Sequence, residues 1–441
     1  MLRSIAAAMV FVGMLACGAV AHAASCPPVA STYDLIQQGI FQRHGCTQSF
    51  CHGTSRQGGL DLRAANSYAS LLQGEDGEAE QHEKTEGAAV EPGHPEDSLL
   101  WELLAAKTLG LKDPPGVPMP AGGLPISRDE LEGIRLWILA GAPQDGTVEG
   151  VSDLIDACPP PTPAEDGPLP PLCQPGETDL LLPNLVVDTP RDVRVIYQGG
   201  HRVISFTTGV ANTGDGPLIV QAGSTPTAPG QSVDALQIIV RADGSKCTRS
   251  AGALLFEYEG LHWAYGSMAD FELRKDDPRT GPILARSSKT AFCLLDSDPI
   301  RASENRPHQF EAHCEDNIGR MGISAGYKDV YYRIHPGQWI DLDADPTTAV
   351  PVGTYYLVNI ADPNNTLLKM NEDPMASASF TRVTVRLPDP DPPEVAPTPP
   401  LQPTPPAPGH RPRPPHAPHA PRAAHAPHVH AAHHPVHVTH Q

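Results

Sequence analysis

The spacing of apolar residues along this chain changes once. Up to residue 145 it is helical. Leu131, Ile134, Trp137 and Ile138 fall on one stripe, behind Ser127 in N-cap position and Glu130 three residues on as its capping-box partner. A second helix is expected through Tyr33 to Phe41. From residue 180 the chain instead alternates as strands do. Arg194–Tyr197, Arg202–Phe206, Leu218–Val220, Leu236–Val240, Thr354–Ile360 and Phe380–Leu387 are short runs rich in β-branched and aromatic residues, separated by turns such as Asn212–Pro217. The pattern predicts a small all-α domain followed by an all-β sandwich.

Proline marks the boundaries, because it removes a backbone donor and fixes φ. The expected organisation is multidomain: a signal peptide over 1–23, a helical domain over 24–145, a Pro-rich linker over 146–179, the β-sandwich over 180–388, and a disordered Pro/His-rich tail over 389–441. The leader shows Arg3, an apolar run from Ile5 to Val20 and an Ala21-His22-Ala23 cleavage site. No other segment approaches the length of a membrane span, so no transmembrane span is expected. The acidic run Glu75–Glu86 reads as a solvated insertion between helices.

The formal charge of −20 keeps the chain soluble and excludes nucleic acid as a partner. Export favours oxidised cysteines. With Cys17 assigned to the leader and Cys46 and Cys51 to other chemistry, six remain: Cys26, Cys158, Cys173, Cys247, Cys293 and Cys314. Six cysteines allow three disulfides, and Cys158 with Cys173 would staple the linker.

Cys46-Thr-Gln-Ser-Phe-Cys51-His52 carries the most specific chemistry. Two thiols closing directly onto a histidine suit covalent haem c attachment, with His52 on the iron. Four residues separate the cysteines instead of the usual two, and a disulfide loop or a zinc half-site are the plainer alternatives. Met119, between Pro118 and Pro120 in a stiff loop, is the candidate second axial ligand; a loop methionine filling a gap is the alternative. The blocks GIFQRHGCTQSFCHG (39–53), GGLDLR (58–63), VEPGHPEDSLLWELL (90–104) and the PMPAGG-to-AGAP stretch (118–143) resemble, in order, the cytochrome c domains of multidomain bacterial secreted proteins.

Farther along, LLPNLVVD (181–188), ISFTTGVANTGDGPLIV (204–220), KTAFCLLD (289–296) and GYKDVYYRIHPGQWIDL (326–342) resemble the catalytic domain of the lysyl oxidase family. The resemblance implies that Lys289 and Tyr331 stand where the family crosslinks a lysine and a tyrosine into lysine tyrosylquinone, a carbonyl cofactor that condenses with substrate amines. It also implies a Cys293–Cys314 disulfide, which would leave Cys26 with Cys247. Asp329 is a candidate base, or a satisfied strand-edge aspartate. The family's copper site is His-x-His-x-His, and here only its first histidine, His262, is kept; Ala264 and Gly266 hold the other two places. His308, His313 and His335 are not spaced to replace them. The acidic residue and Asn-Asn pair that support a structural calcium in the family are replaced by Lys369 and Pro374-Met375.

Half of the chain's 20 histidines lie in the tail, where they are expected to bind metal ions; a low-complexity tail with no ligand role, or attachment to acidic surface polymers once protonated, are the alternatives. The combined reading is a bacterial redox protein, periplasmic or secreted to the cell surface, in which haem c electron transfer is coupled to a lysyl-oxidase-like domain with a degraded copper site. One alternative is an active copper/quinone amine oxidase or dehydrogenase that passes electrons to the haem. Another is a surface copper-binding protein acting through its tail. The expected partners are a redox protein or an amine substrate.

Overall fold

The structure, a computed structural model, describes residues 29–73, 88–156, 169–224, 230–256, 262–301, 307–310, 314, 319–345 and 347–386. The signal segment, the acidic run, Cys26, Cys158, His313 and the tail lie outside these residues. No helix among the described residues is long and apolar enough to cross a membrane.

Four helices build the N-terminal part. Helix α1 (Thr32–Ile36) starts at Ser31, whose hydroxyl accepts from the Asp34 amide, and passes directly into a π-helical turn, Gln37–Gln42. Helix α2 is Ser67–Gln73, and α3 (Leu99–Leu109) is closed by Gly110 in the left-handed region. In α4 (Arg128–Leu139) the capping box forms: Glu130 N donates to Ser127 Oγ at 3.0 Å and Ser127 N to Glu130 Oε2 at 2.7 Å. The stripe of α4 then points inward. Ile134, Trp137 and Ile138 are fully buried against Tyr33, Ile36 and Ile40, and Trp137 Nε1 donates to Pro143 O at 2.9 Å.

This core runs past residue 145. Thr32 N donates to Gly146 O, Val148 N donates to Thr32 Oγ1, and Val151 and Ile155 are buried with the helices. Residues 146–156, expected as the start of a linker, complete the helical core instead. Two glycines make room for the insertion: a Cβ at Gly39 or Gly133 would stand within 3 Å of the Ile155 side chain.

The C-terminal part is β, as its alternation predicts, but it forms three antiparallel sheets in place of a simple two-sheet sandwich. One runs Met321–Ile323, Leu218–Ala222, Ser232–Arg241, Lys246–Phe256, Trp263–Tyr265. A second runs Ile283–Arg286, Ala269–Arg274, Gly353–Ala361, Ser379–Val385. The third is organised on the long strand His201–Asn212, which pairs with Tyr327–Tyr331 and Trp339–Asp341. All three bury residues in one core, among them Leu254, Phe271, Leu357, Phe206 and Ile340.

Cys293 and Cys314 form the expected disulfide, with Cα atoms 5.9 Å apart. The other pairing is corrected: Cys173 bonds Cys247, which excludes both Cys158–Cys173 and Cys26–Cys247. The reason is a short zipper. Thr248 N donates to Pro171 O and Cys173 N to Thr248 O, so the proline-rich segment lies along the strand Lys246–Phe256 as an edge and brings the two sulfurs together.

A buried cation sits in the loop after Gly353–Ala361. Lys369, only 2 % exposed, donates to Asp362 Oδ2 and Asn365 Oδ1, both at 2.5 Å, while Asp362 also accepts from the Thr366 and Leu367 amides. The charge of the ammonium satisfies these acceptors, so the loop does not fit a calcium ion.

Candidate functional site

The turn between α1 and α2 presents the two thiols. Cys46 N donates to Phe41 O and His52 N to Cys46 O, which folds the loop back on the end of the π-helical turn. Gly53 closes it, where a Cβ would stand 2.5 Å from Thr47 O. Cys46 and Cys51 are half-buried and neither is in a disulfide. Burial pushes the Cys46 thiol up to about 12, so it is protonated.

His52 Nδ1 lies 2.9 Å from Gln57 O. A carbonyl only accepts, so Nδ1 carries the proton and Nε2 of the neutral ring keeps its lone pair. Burial lowers the pKa of His52, against the opposing pull of the Gln57 and Leu60 backbone. Met119 packs on the same helical core as Cys46, and its amide donates to Leu103 O of α3 at 3.0 Å. Trp101, on that core as well, has a buried Nε1 without an acceptor among the described residues. Just before the motif, His44 Nε2 donates to Glu130 Oε1 at 3.0 Å. Burial raises the Glu130 pKa, but His44 and the Ser127 contacts outweigh it and pull it down to about 2.

In the β part, Lys289 and Tyr331 come together. Lys289 Nζ is 4.6 Å from the Tyr331 ring centroid and 5.1 Å from that of Phe292. It donates to Pro336 O at 2.9 Å, and its stem packs on Gly337, where a Cβ would stand 3.1 Å from Lys289 Cδ. Tyr331 Oη donates to Cys293 O at 2.6 Å. The aromatic ring and the amine are thus held from opposite ends, one by the disulfide segment and one by the 332–338 turn.

Asp329, two residues before Tyr331 on the same strand face, lines a small cavity of about 20 Å³ with Tyr331, Thr208, Phe292 and Asn359. Burial raises its pKa well above the usual carboxylate range, opposed by the Ser297 hydroxyl at 3.3 Å. The same burial disfavours the carboxylate form that a base requires. Asn359 Oδ1 faces no donor among the described residues. A larger cavity of about 510 Å³ is bordered by Ser287 and Thr290, on either side of Lys289 in sequence. Its charges are paired: Arg286 meets Asp270 at 2.9 Å and Glu272 at 2.7 Å.

His262 is buried and its ring packs against Phe50 of the thiol loop, centroid to centroid 4.9 Å. Ala264, 1 % exposed, and Gly266 offer no ligand atom. His335 stands 5.3 Å from the Tyr331 ring, but its Nδ1 accepts from Tyr332 N at 3.0 Å, which leaves its ring proton on Nε2. Burial, reinforced by the Lys289 and Lys107 charges, pushes His335 down to about 3. His308 packs against Tyr327. Among the described residues, the groups of three potential ligands are Cys173, Glu177 and Cys247, two of which are a disulfide, and the exposed His94, Glu96 and Asp97. Neither contains His262. The site does not fit copper.

Residues 238–378 match the lysyl oxidase family model. The matched span contains His262, Lys289, Asp329, Tyr331 and the Cys293–Cys314 disulfide, and covers none of the helical part. No curated protein matches the chain. Within the matched span Lys289 and Tyr331 are in contact, and Ala264 and Gly266 stand two and four residues after His262. Sequence reasoning missed the seat that Phe50 makes on His262. Its signal was an aromatic residue placed between the two cysteines, next to Cys51.

Proposed function

We propose that this is an exported redox protein whose helical part carries haem c and whose lysyl-oxidase-like part is a binding module without a metal centre. The observation that carries the reading is the arrangement of the loop 46–57: two thiols outside any disulfide, followed by an imidazole whose Nδ1 is anchored on a backbone carbonyl, so that Nε2 would be the coordinating atom. Such an anchor on the far ring nitrogen is what iron and zinc histidines generally have. The donor set fits a covalently held haem. Cys46 and Cys51 would form the thioethers, His52 and Met119 would hold the iron, and the spare Trp101 donor beside the same core suits a cofactor that brings carboxylates. When bound, haem c supplies reversible one-electron transfer. Leu104 and Ile126 are buried in the same core, with Leu60, Tyr68 and Leu100 packed on it, and would keep water from such a group. Intact mass and visible absorption of the full chain, made with a haem-maturation system, test the reading. One haem per chain is expected, and a mass without haem refutes it.

A second reading, an amine oxidoreductase, is favoured by the Lys289 amine resting over the Tyr331 ring. Among the described residues the pair has no metal site beside it that would support oxidation of the tyrosine, so no catalytic step is assigned to it. A peptide map of the isolated protein decides the matter: the two peptides separate under this proposal and travel as one if the crosslink forms.

A further inference from the structure

The loop that carries Met119 is fastened to the β part. Lys107, one turn beyond Leu103 on α3, donates to Pro120 O at 2.7 Å and to Gly123 O at 2.5 Å. Its side chain is 6 % exposed and its ammonium lies 3.5 Å from Asp298 Oδ1. Asp298 is not on a free loop: Asp298–Pro299 pairs with the strand Tyr327–Tyr331, opposite Lys328. Ser297 Oγ donates to Gly122 O at 3.4 Å, and Leu124 packs on the β core. Every residue from 119 to 124 except Ala121 thus has a contact to α3 or to the β part.

We propose that Lys107 and Asp298 are positioning residues for Met119, so that the lysyl-oxidase-like part sets how firmly the sulfur is held at the haem iron. The inference rests on the haem reading above. One ammonium satisfies two carbonyls of the loop and the carboxylate of a sheet strand at once, and a proline on each side of Met119 leaves the loop few other ways to place the sulfur. Removing the ammonium frees both carbonyls and leaves Asp298 without that partner, and the loop gains conformations in which the sulfur is off the iron. The thiol side of the haem site does not depend on this pair. One contact of the thiol loop with the β part is Phe50 on His262, which involves neither Lys107 nor Asp298, so attachment and sulfur ligation can be tested separately.

The test is an imidazole titration of the ferric full-length protein, read together with the weak charge-transfer band of a sulfur-ligated haem. Displacement of Met119 by imidazole is expected at about tenfold lower concentration in Lys107→Met, with a smaller shift in Asp298→Asn, because the competing internal ligand is less populated. The band weakens in the same order and the midpoint potential falls. Lys112→Met, an exposed lysine past the end of α3, should leave all three as in the wild type. If Lys107→Met does not accumulate, Asp298→Asn and Ser297→Ala carry the comparison. Variants that lose thermal stability yet keep the wild-type titration, band and potential reduce Lys107 to a structural staple and overturn the proposal. Wild-type protein that carries haem without the sulfur band removes Met119 as ligand, and the positioning role with it. Protein with no haem at all refutes the haem reading itself.

Discussion

The helical part and the β part treat their inherited chemistry in opposite ways. In the helical part the residues proposed to hold a haem are all in place: thiols out of disulfides, His52 anchored at Nδ1, Met119 on the shared core. In the β part the scaffold is kept more fully than the site. Three sheets, the Cys293–Cys314 bridge and the Lys289–Tyr331 contact are in place, while His262 serves as a seat for Phe50 and has Ala264 and Gly266 after it. A fold held by a core of Phe206, Phe271 and Leu357 tolerates loss of ligands that project from one short strand. Under the proposed reading, a covalent haem with ligands from two loops would tolerate no such loss.

The comparison breaks most visibly at the thiols. Cys46→Ala together with Cys51→Ala should abolish covalent haem, seen as the loss of the whole haem mass, and leave the Lys289–Tyr331 region unchanged. Retained covalent haem would show that attachment lies elsewhere.

Next in size is the claim that the β part needs no ion. Lys369→Met strands the buried Asp362 carboxylate and should cost about 3–5 kcal/mol in denaturant unfolding of the β part. In the wild type, a chelator should leave the melting temperature where it was. Sensitivity of the wild type to chelation would reverse the contrast drawn here.

Glu130 tests whether the helical part depends on its own buried polar pair. Glu130→Ala removes the capping box and the His44 contact and should cost about 2–3 kcal/mol. The pH dependence has a defined sign. The folded pKa is about 2 against an ordinary 4.5, so the stabilisation is fully present above 4.5 and is lost as pH falls from there through about 2. Acid unfolding of Glu130→Ala should therefore be flatter in that window. An unchanged profile would assign the acid sensitivity to other carboxylates.

The smallest expected effect concerns copper. A chain ending at residue 388 should bind it no better than a single imidazole. Ala264→His with Gly266→His should tighten binding only when Phe50→Ala clears the His262 ring, since Phe50 packs on that ring and Ala264 is itself buried. Tight copper in the truncated wild type would place the amine oxidoreductase reading first.

What could be read in advance was what local spacing encodes. Ser127 and Glu130 announce α4 because a cap and its partner are three residues apart, and the β pattern from 180 onward survives because alternation is a property of each strand alone. The pairing of Cys293 with Cys314 came through the resemblance. The rest depends on contacts between distant segments. Cys173 reaches Cys247 because residues 170–173 add to the strand Lys246–Phe256, and nothing in the linker's prolines shows which edge it will join. Residues 146–156 look like linker by composition but fill the hollow above Gly39 and Gly133, a shape that exists only after α1 and α4 pack. The upward shift of the Asp329 pKa arises from burial that three sheets create together.

The ammonium of Lys369 has one more consequence. A diffusible ion holds a loop by mass action, so its grip varies with whatever concentration the surroundings provide. An ion on a side chain is present at a fixed, high effective concentration wherever the protein travels. For a chain read as working outside the cytoplasm, the geometry around Asp362 is then inherited with the gene and not drawn from the medium. The loop folds the same way in dilute fresh water as in brine.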